Sequence, residues 1–258
     1  SEVLAAEAAS CLNRAMAALR DIWEEIGIPE EQRLERTDVV KQHIKSLLDM
    51  MVAEEESLRE RLLKSIALCR KELDTLCSEL QLGLFETEEK STILQMEKNL
   101  RMRVEELQKQ KQDRKQELKA LQKQDQDLCD ILCTAPFSID SGAVPSLEDL
   151  DSYRRHVASL NTLKEQRREE FVNNKRQIIL LMEELDHTPD TSFERDVVCE
   201  SEELFCLSKD NIVALQNLLQ QLEARRALNE AVCAELRARI VVLWERLQIP
   251  QEERESSA

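Results

Sequence analysis

The sequence is poor in the residues that interrupt helices and in those that build sheets. Among its 258 residues there are 3 glycines and 5 prolines, and aromatic residues make up 3% of the chain. Turns depend on glycine and proline, and strands are rich in aromatic and β-branched residues, so this scarcity argues against a sheet protein. The elements that form must therefore be few and long.

Long hydrophobic runs and an excess of basic residues are also missing. No stretch approaches the roughly 20 consecutive apolar residues that cross a bilayer, and the first residues lack the basic and apolar regions of a signal peptide. The formal net charge is −16, whereas nucleic acids and anionic membranes attract a basic face. The sequence therefore predicts neither a nucleic-acid partner nor a membrane partner.

Motifs that carry catalysis or hold a ligand are missing as well. The sequence has no glycine-rich phosphate loop, no G-x-S-x-G and no H-E-x-x-H. Cys129 and Cys133 have a helical spacing that could hold a metal, but no histidine or second cysteine pair accompanies them. The sequence therefore predicts no catalytic residue, no metal site and no cofactor.

Eight cysteines are scattered along the chain without a C-x-x-C pair. Cys69, for example, continues the apolar stripe through Ile66, Leu73 and Leu76. Free cysteine behaves as a small buried hydrophobe. This distribution favours packing cysteines in a reduced, intracellular setting over a disulfide framework.

What the sequence has in abundance is charged and aliphatic residues in helical register. Charged residues make up 34% of the chain, and apolar residues recur at spacings of three and four, which places them on one helix face. The pattern predicts an all-α fold of long helices, with connections over 134–146 and 187–208. The five helices are expected over about 2–26, from the 29–37 region to 82, over 87–132, from 147 to 186 and from 209 to 248.

Local signals mark several helix ends. Gly27 and Gly83 are placed to close the first two helices, because glycine adopts the left-handed conformation found there. Ser146 and Asp149 form a candidate capping pair for the fourth helix, and Ser208 is a candidate cap for the fifth.

Charged residues interrupt the apolar seams in two places. Glu54–Glu56 break the seam of the second helix, which predicts that this helix changes its packing partner there. Lys111, Arg114 and Asp125 interrupt the third seam. A stripe this narrow favours a thin rod packed on one side.

The only two tryptophans lie in two copies of one pattern. The first copy is I-W-E-E-I-G-I-P-E-E-Q-R from Ile22 to Arg33, and the second is L-W-E-R-L-Q-I-P-Q-E-E-R from Leu243 to Arg254. A repeated pattern indicates a duplicated unit, and we interpret it as a corner in which the tryptophan packs at a helix end and Ile-Pro directs the exit. The alternative is an exposed recognition peptide. The second copy also predicts a further helix starting at residues 251–253.

Four runs of the sequence resemble a known family. They are the two tryptophan patterns, L-L-D-M-M-V-A-E-E-E-S-L at 47–58, and the specific run R-Q-I-I-L-L-M-E-E-L-D-H-T-P-D-T-S-F-E-R-D-V-V-C-E at 176–200. They are similar to the antiparallel microtubule crosslinkers that include yeast anaphase spindle elongation protein and the plant microtubule bundlers. The resemblance implies an elongated homodimer with a dimerising helical hairpin, a helical rod, a spectrin-like microtubule-binding domain and a basic tail.

The resemblance also implies how this chain is organised. Residues 1–66 are expected to form the dimerisation hairpin and residues 67–258 the N-terminal part of the rod. The chain does not begin with methionine, and we expect a fragment that lacks the microtubule-binding domain and tail. The family implies kinesin partners recruited through the N-terminal region. It also implies a cytoskeletal location at the spindle midzone and midbody in dividing cells, and a nuclear one in interphase.

Self-association also follows from the small apolar content of the first hairpin. One hairpin cannot bury enough surface alone, so two hairpins are expected to bury each other as a small bundle. The competing interpretation is a monomeric helical adaptor that docks other proteins without dimerising. The predicted dimerisation residues are Leu12, Leu19, Ile22, Trp23, Ile26, Ile28, Val40, Ile44, Leu47 and Met51.

One modification signal is present. Thr188 precedes Pro189, the only Ser/Thr-Pro dipeptide in the chain, and a proline-directed kinase could use it. The competing interpretation is a turn ahead of a short helix, which such dipeptides commonly form.

Overall fold

The computed structural model describes residues 1–83, 91–139 and 142–256, and within them it contains α-helices and one 3₁₀ turn but no strand. The predicted all-α fold of long helices is confirmed. The helices are α1 (Glu2–Ile26), α2 (Glu30–Glu79), α3 (Ile93–Leu132), α4 (Leu147–Glu184), α5 (Ser192–Val198), α6 (Lys209–Arg246) and α7 (Gln251–Ser256), and the 3₁₀ turn covers Glu202–Leu204.

Most helix ends lie where the local signals place them. Ser146 and Asp149 form the predicted capping box at the start of α4, with each side chain accepting from the other residue's backbone N–H. The Ser208 hydroxyl accepts from the Asn211 N–H at 3.1 Å at the start of α6. Thr191 and Glu194 form a second capping box, which begins α5. These caps satisfy N–H groups that a helix start leaves without partners.

The end of α2 corrects one prediction. The helix stops at Glu79, and Gln81 rather than Gly83 takes the left-handed conformation, with a φ of 58°. A left-handed residue closes a helix whatever its side chain, although glycine does so without steric cost. The predicted start of α3 near Thr87 lies outside the described residues.

The chain divides into two compact units. The first contains residues 1–77 and 83–107. In it, α1 packs on the start of α2, residues 45–61 of α2 are exposed throughout, and burial resumes at Ile66 and continues on Leu100 of α3. The glutamates at 54–56 therefore do lie where α2 changes from one packing partner to another.

The second unit contains residues 78–82 and 108–258. Its core is built by α3, α4, α6 and the segment between α4 and α6. Phe171 of α4 is fully buried and stacks on Phe205 with ring centroids 4.2 Å apart. The core therefore includes a non-helical connection as well as helix faces.

Within this second unit, consecutive long helices run parallel. Arg114 of α3 reaches the Pro145 carbonyl just before α4, whereas Asp125, further along α3, contacts His156 of α4. In the same way, α4 pairs with α6 first through Glu170 and Gln216, and later through Glu184 and Arg226. Later residues of one helix contact later residues of the next, so the paired helices run in the same direction. Each connection must therefore bring the chain back along the helix that has just ended before the next helix begins.

Two polar residues that interrupt the α3 seam are buried rather than solvent-facing. Arg114 is 7% exposed and donates to the Leu80 carbonyl at 3.1 Å. Asp125 is 0% exposed and accepts from the Tyr153 hydroxyl at 2.8 Å and the Phe137 N–H at 2.9 Å. In this unit they serve as partners for polar groups that the helices cannot satisfy.

Candidate self-association surface

The first tryptophan corner joins α1 to α2. Gly27 has a φ of 78°, and the N–H groups of Gly27 and Ile28 both donate to the Trp23 carbonyl at 3.0 Å. These bonds satisfy a backbone carbonyl in the last turn of α1 while the chain turns back toward α2. Trp23 and Ile28 are buried, at 6% and 7% exposure, so the corner-forming interpretation is confirmed and the exposed-peptide alternative is wrong for this copy.

Arg33 on the first turns of α2 holds this corner. Its Nε donates to the Ile28 carbonyl at 2.7 Å, and its guanidinium reaches the Trp23 carbonyl at 3.4 Å. It also pairs with Glu24 at 2.7 Å, although the Glu24 side chain is 76% exposed. The bonds to the backbone carbonyls are sheltered from solvent, so they are expected to carry most of the stabilisation.

Only a short part of the hairpin forms a seam between its two helices. Leu19 on α1, and Val40 and Ile44 on α2, are half-buried, as is Met16. The N-terminal residues 1–15 of α1 are all exposed. The hairpin therefore packs tightly at its corner and loosely toward its open end.

The other predicted residues are exposed in a single chain. Ile26 is 66% exposed, and the remaining four have between 39% and 54% of their surface exposed; they are Leu12, Ile22, Leu47 and Met51. A side chain that packs only against a second copy of the chain is exposed when one copy is considered alone. These five residues are therefore the part of the predicted set that is available to a partner.

Much of the apolar surface on the same hairpin lies outside the predicted set. A spacing of three and four marks about one residue per helical turn, whereas neighbouring positions such as Leu48 and Val52 widen the stripe around α2. The additional exposed apolar residues are Val3, Leu4, Leu34, Val39, Leu48, Met50, Val52 and Leu58. Monomeric proteins rarely leave apolar patches of this extent uncovered. We call the two sets together the hairpin apolar surface.

The second tryptophan corner repeats the first in its backbone. The Ile249 N–H donates to the Trp244 carbonyl at 2.9 Å, and Arg254 donates to the Ile249 carbonyl at 3.0 Å. The Arg254 guanidinium lies 5.7 Å from the centre of the Trp244 ring. The predicted further helix does begin here, as α7 at Gln251.

One cluster of side chains at the start of α5 brings together groups that could ligate a metal. In the described part of the chain, His187, Asp190 and Glu194 place one ligand atom each within 4.8 Å of one another. Arg225, however, lies 3.2 Å from His187 Nδ1, where a guanidinium can only donate. That bond favours a proton on Nε2, the nitrogen that faces Glu194 at 3.4 Å. The arrangement is that of a charged cap at the start of α5.

Electrostatics support the capping role of Glu194. Burial by itself raises the pKa of this carboxyl, but the backbone N–H groups of Asp190 and Thr191 and the nearby His187 together hold it below its ordinary value.

Thr188 lies in the same segment, is exposed and is outside any helix, ahead of the short α5.

The sequence predicts cysteines that are packed among apolar side chains, and the structure buries only some of them. Cys77 and Cys129 are buried, but Cys11, Cys199 and Cys233 are exposed. Cys133 and Cys206 are joined through their sulfur atoms. Burial in a packed core therefore does not account for these five cysteines, of which Cys133, Cys199 and Cys206 lie outside helices.

The structure contains no catalytic arrangement among the described residues on which a reaction could be built. The described residues instead form a helical scaffold whose first hairpin carries a long exposed apolar surface. No helix in the described ranges is both long enough and apolar enough to span a bilayer.

Comparison with known proteins agrees with this class. The family model for microtubule associated protein (MAP65/ASE1 family) matches residues 13–258. The chain is 64% identical over 258 residues to Protein regulator of cytokinesis 1 of Homo sapiens, and 65% identical over 255 residues to the Mus musculus protein of the same name. It is covered over 100% and 99% of its length in the two comparisons, and spans 42% of each relative.

The chain therefore belongs to the MAP65/ASE1 family of microtubule-associated proteins. Members of this class are structural proteins of the cytoskeleton and not enzymes. The resemblance found in the four sequence runs is confirmed.

Proposed function

We propose that this chain is the homodimerisation and spacer module of an antiparallel microtubule crosslinker that acts in cytokinesis. The observation that carries the proposal is the hairpin apolar surface, which a single chain leaves exposed on two helices joined by a hydrogen-bonded corner. Two hairpins that pack these surfaces together form a small helical bundle, in which the apolar faces of neighbouring helices share one core. The proposal thus gives the exposed apolar residues of α1 and α2 a packing partner.

The long helices supply the spacer in this proposal. At ~1.5 Å per residue, the 50 residues of α2 extend over roughly 75 Å. We propose that a helix of this length contributes to the spacer. We place the dimerisation module at residues 1–66 and the beginning of the spacer at residues 67–258.

The partners of the whole protein follow from the family and are proposals for this chain. We place microtubule binding outside residues 1–258, since an acidic module repels the acidic microtubule surface. Kinesin motors are proposed to bind through the N-terminal region. The proposed locations are the spindle midzone and midbody in dividing cells and the nucleus in interphase. Thr188, which is exposed beside a proline, is a proposed phosphorylation site.

Sedimentation equilibrium on the purified chain tests the dimer. We expect twice the mass of the chain at micromolar concentration. Leu47→Asp should give monomers, because residue 47 lies on the exposed face and a carboxylate cannot be buried there without a partner. Leu180→Asp is the matched control, since Leu180 is comparably exposed at 59% but lies on α4, and it should stay dimeric.

The alternative, a monomeric adaptor, predicts the mass of one chain at every concentration. That result for the unmodified chain would overturn the proposal. Circular dichroism of Leu47→Asp separates loss of the dimer from loss of the fold, because an exposed substitution should leave the helix content unchanged.

A further inference from the structure

Two distant segments of the second unit are held together by their backbones. The Leu207 N–H, just before α6, donates to the Ile131 carbonyl at the end of α3 at 2.9 Å. Arg167 of α4 donates to the Leu207 carbonyl at 2.8 Å, so the other side of the same residue is also fixed. These bonds position the segment before α6 against the end of α3 independently of any cysteine.

This contact brings two cysteines together. Cys206 immediately precedes Leu207, and Cys133 lies two residues after Ile131. Their sulfur atoms are joined, and their Cα atoms are 7.2 Å apart. Disulfides usually have Cα separations of about 4.4–6.8 Å. Both cysteines lie in connections and not within helices, so the backbone around them can adjust when the bond forms or breaks.

The other six cysteines are free. Cys129, one turn before Cys133, is buried and directs its thiol to Asp125 at 3.3 Å. Burial raises the pKa of the Cys129 thiol, with the nearby carboxylates adding to the shift, so it stays protonated and unreactive.

We propose that Cys133 and Cys206 are a reversible redox modification site, a thiol pair that a peroxide converts to a disulfide. Cys133 is exposed and Cys206 is half-buried, so the oxidant reaches Cys133 first. The Cys133 thiolate attacks one peroxide oxygen, the O–O bond breaks, and hydroxide leaves and is protonated to water. The Cys206 sulfur then attacks the sulfenic sulfur, forming the S–S bond and releasing a second water. Each thiol loses one electron and one proton, and hydrogen peroxide is reduced to two waters.

The disulfide connects residues 73 positions apart and so encloses α4 and α5. A cross-link over a long loop restricts the unfolded chain more than the folded one and stabilises the fold. In the oxidised chain the disulfide therefore stabilises the second unit, whereas in the reduced chain the unit is stabilised only by its hydrogen bonds and its apolar core. This proposal concerns one chain and does not rest on dimerisation.

Peptide mapping by mass spectrometry tests the site. The reduced chain is treated with hydrogen peroxide, its free thiols are alkylated, and it is digested without reductant. We expect one dominant cross-linked species that joins the peptides of Cys133 and Cys206, reverted by dithiothreitol, while Cys11, Cys199 and Cys233 are alkylated. Two results would overturn the proposal: disulfides formed among the cysteines with no preference for this pair, or a Cys133 thiol that is still free after peroxide treatment and is therefore alkylated.

Thermal unfolding gives a second measurement. Oxidation should raise the Tm by several degrees in the parent chain and in the Cys199→Ser control, and the rise should be lost in Cys206→Ser. An equal rise in Cys206→Ser would contradict the assignment. Circular dichroism of reduced Cys206→Ser verifies that the variant folds.

Discussion

Gln248 occupies in the second corner the backbone position that Gly27 occupies in the first. Both have positive φ, 56° for Gln248 and 78° for Gly27. Each lies four residues after a tryptophan and is followed by Ile-Pro. A side chain in the left-handed conformation costs about 1–2 kcal/mol, a cost that glycine avoids. The two corners share the bond from the isoleucine N–H to the tryptophan carbonyl and the bond from an arginine to the isoleucine carbonyl, but they differ in this strain.

Replacing Gly27 by alanine should therefore lower the free energy of unfolding by about 1 kcal/mol. The cost comes from the positive φ alone, because a Cβ at Gly27 would meet no atom within 4 Å. Urea denaturation followed by circular dichroism measures it. The reciprocal change, Gln248→Gly, should not destabilise the chain, and a loss in Gln248→Gly equal to that in Gly27→Ala would contradict the strain argument.

Arg33 and Glu24 form an ion pair, but the two residues should contribute unequally to stability. Arg33→Ala should cost about 1–2 kcal/mol, because two backbone carbonyls of the corner lose a charged donor. Glu24→Ala should cost less than about 0.5 kcal/mol, since exposed ion pairs contribute little. Denaturant unfolding of both variants compares the two costs. Equal losses would show that the ion pair and not the backbone contact holds the corner.

The buried carboxylate of Asp125 should be among the most sensitive positions of the second unit. Asp125→Ala removes the acceptor of the Tyr153 hydroxyl and of the Phe137 N–H, and we expect a loss of about 3 kcal/mol or more. Tyr153→Phe should cost about 1–2 kcal/mol, since the carboxylate keeps its other donors. Asp151→Ala is the control, because its side chain is 56% exposed. Thermal unfolding of the three variants should rank them in this order.

The same carboxylate makes stability depend on pH. Burial works to raise the pKa of Asp125, but the hydrogen bonds from Tyr153, Phe137, Cys129 and His156 together hold it below its ordinary value of 3.8. A carboxyl with a lowered pKa in the folded state contributes stability above its unfolded pKa and loses it as the pH falls through the folded pKa.

We therefore expect the stability difference between the parent chain and Asp125→Asn to be largest near neutral pH. The difference should shrink as the pH falls below 3.8, because Asp125 then becomes protonated in both states. Urea unfolding at a series of pH values gives the difference directly. A gap that is the same at every pH would show that the charge of Asp125 is not involved.

Several features were predictable from local sequence because their causes are local. The periodic apolar residues predicted the long helices, and the hydroxyl caps at Ser146 and Ser208 predicted where α4 and α6 begin. The tryptophan pattern predicted both corners, since its hydrogen bonds join residues only a few positions apart. The run from 176 to 200 was specific enough to indicate the family.

Other features depended on contacts between distant residues. Nothing near Asp125 in the sequence shows that Tyr153 and Phe137 approach it, so a core carboxylate was interpreted as a gap in the seam. The pairing of Cys133 with Cys206 likewise depends on how α3 meets the segment before α6. Periodicity also left the half-buried residue Ile44 and the exposed residue Leu47 in one predicted set.

The sequence by itself determined the long helices, the hydroxyl caps of α4 and α6, the two corners and the family, because hydrogen bonds and side-chain periodicity within one helix or turn specify them. The tertiary structure alone decided that α3, α4 and α6 overlap in parallel, which polar residues are buried, and which apolar residues of the hairpin stay exposed. Those outcomes depend on the packing of segments far apart in the chain, and the free energy of that packing is not encoded at any single position.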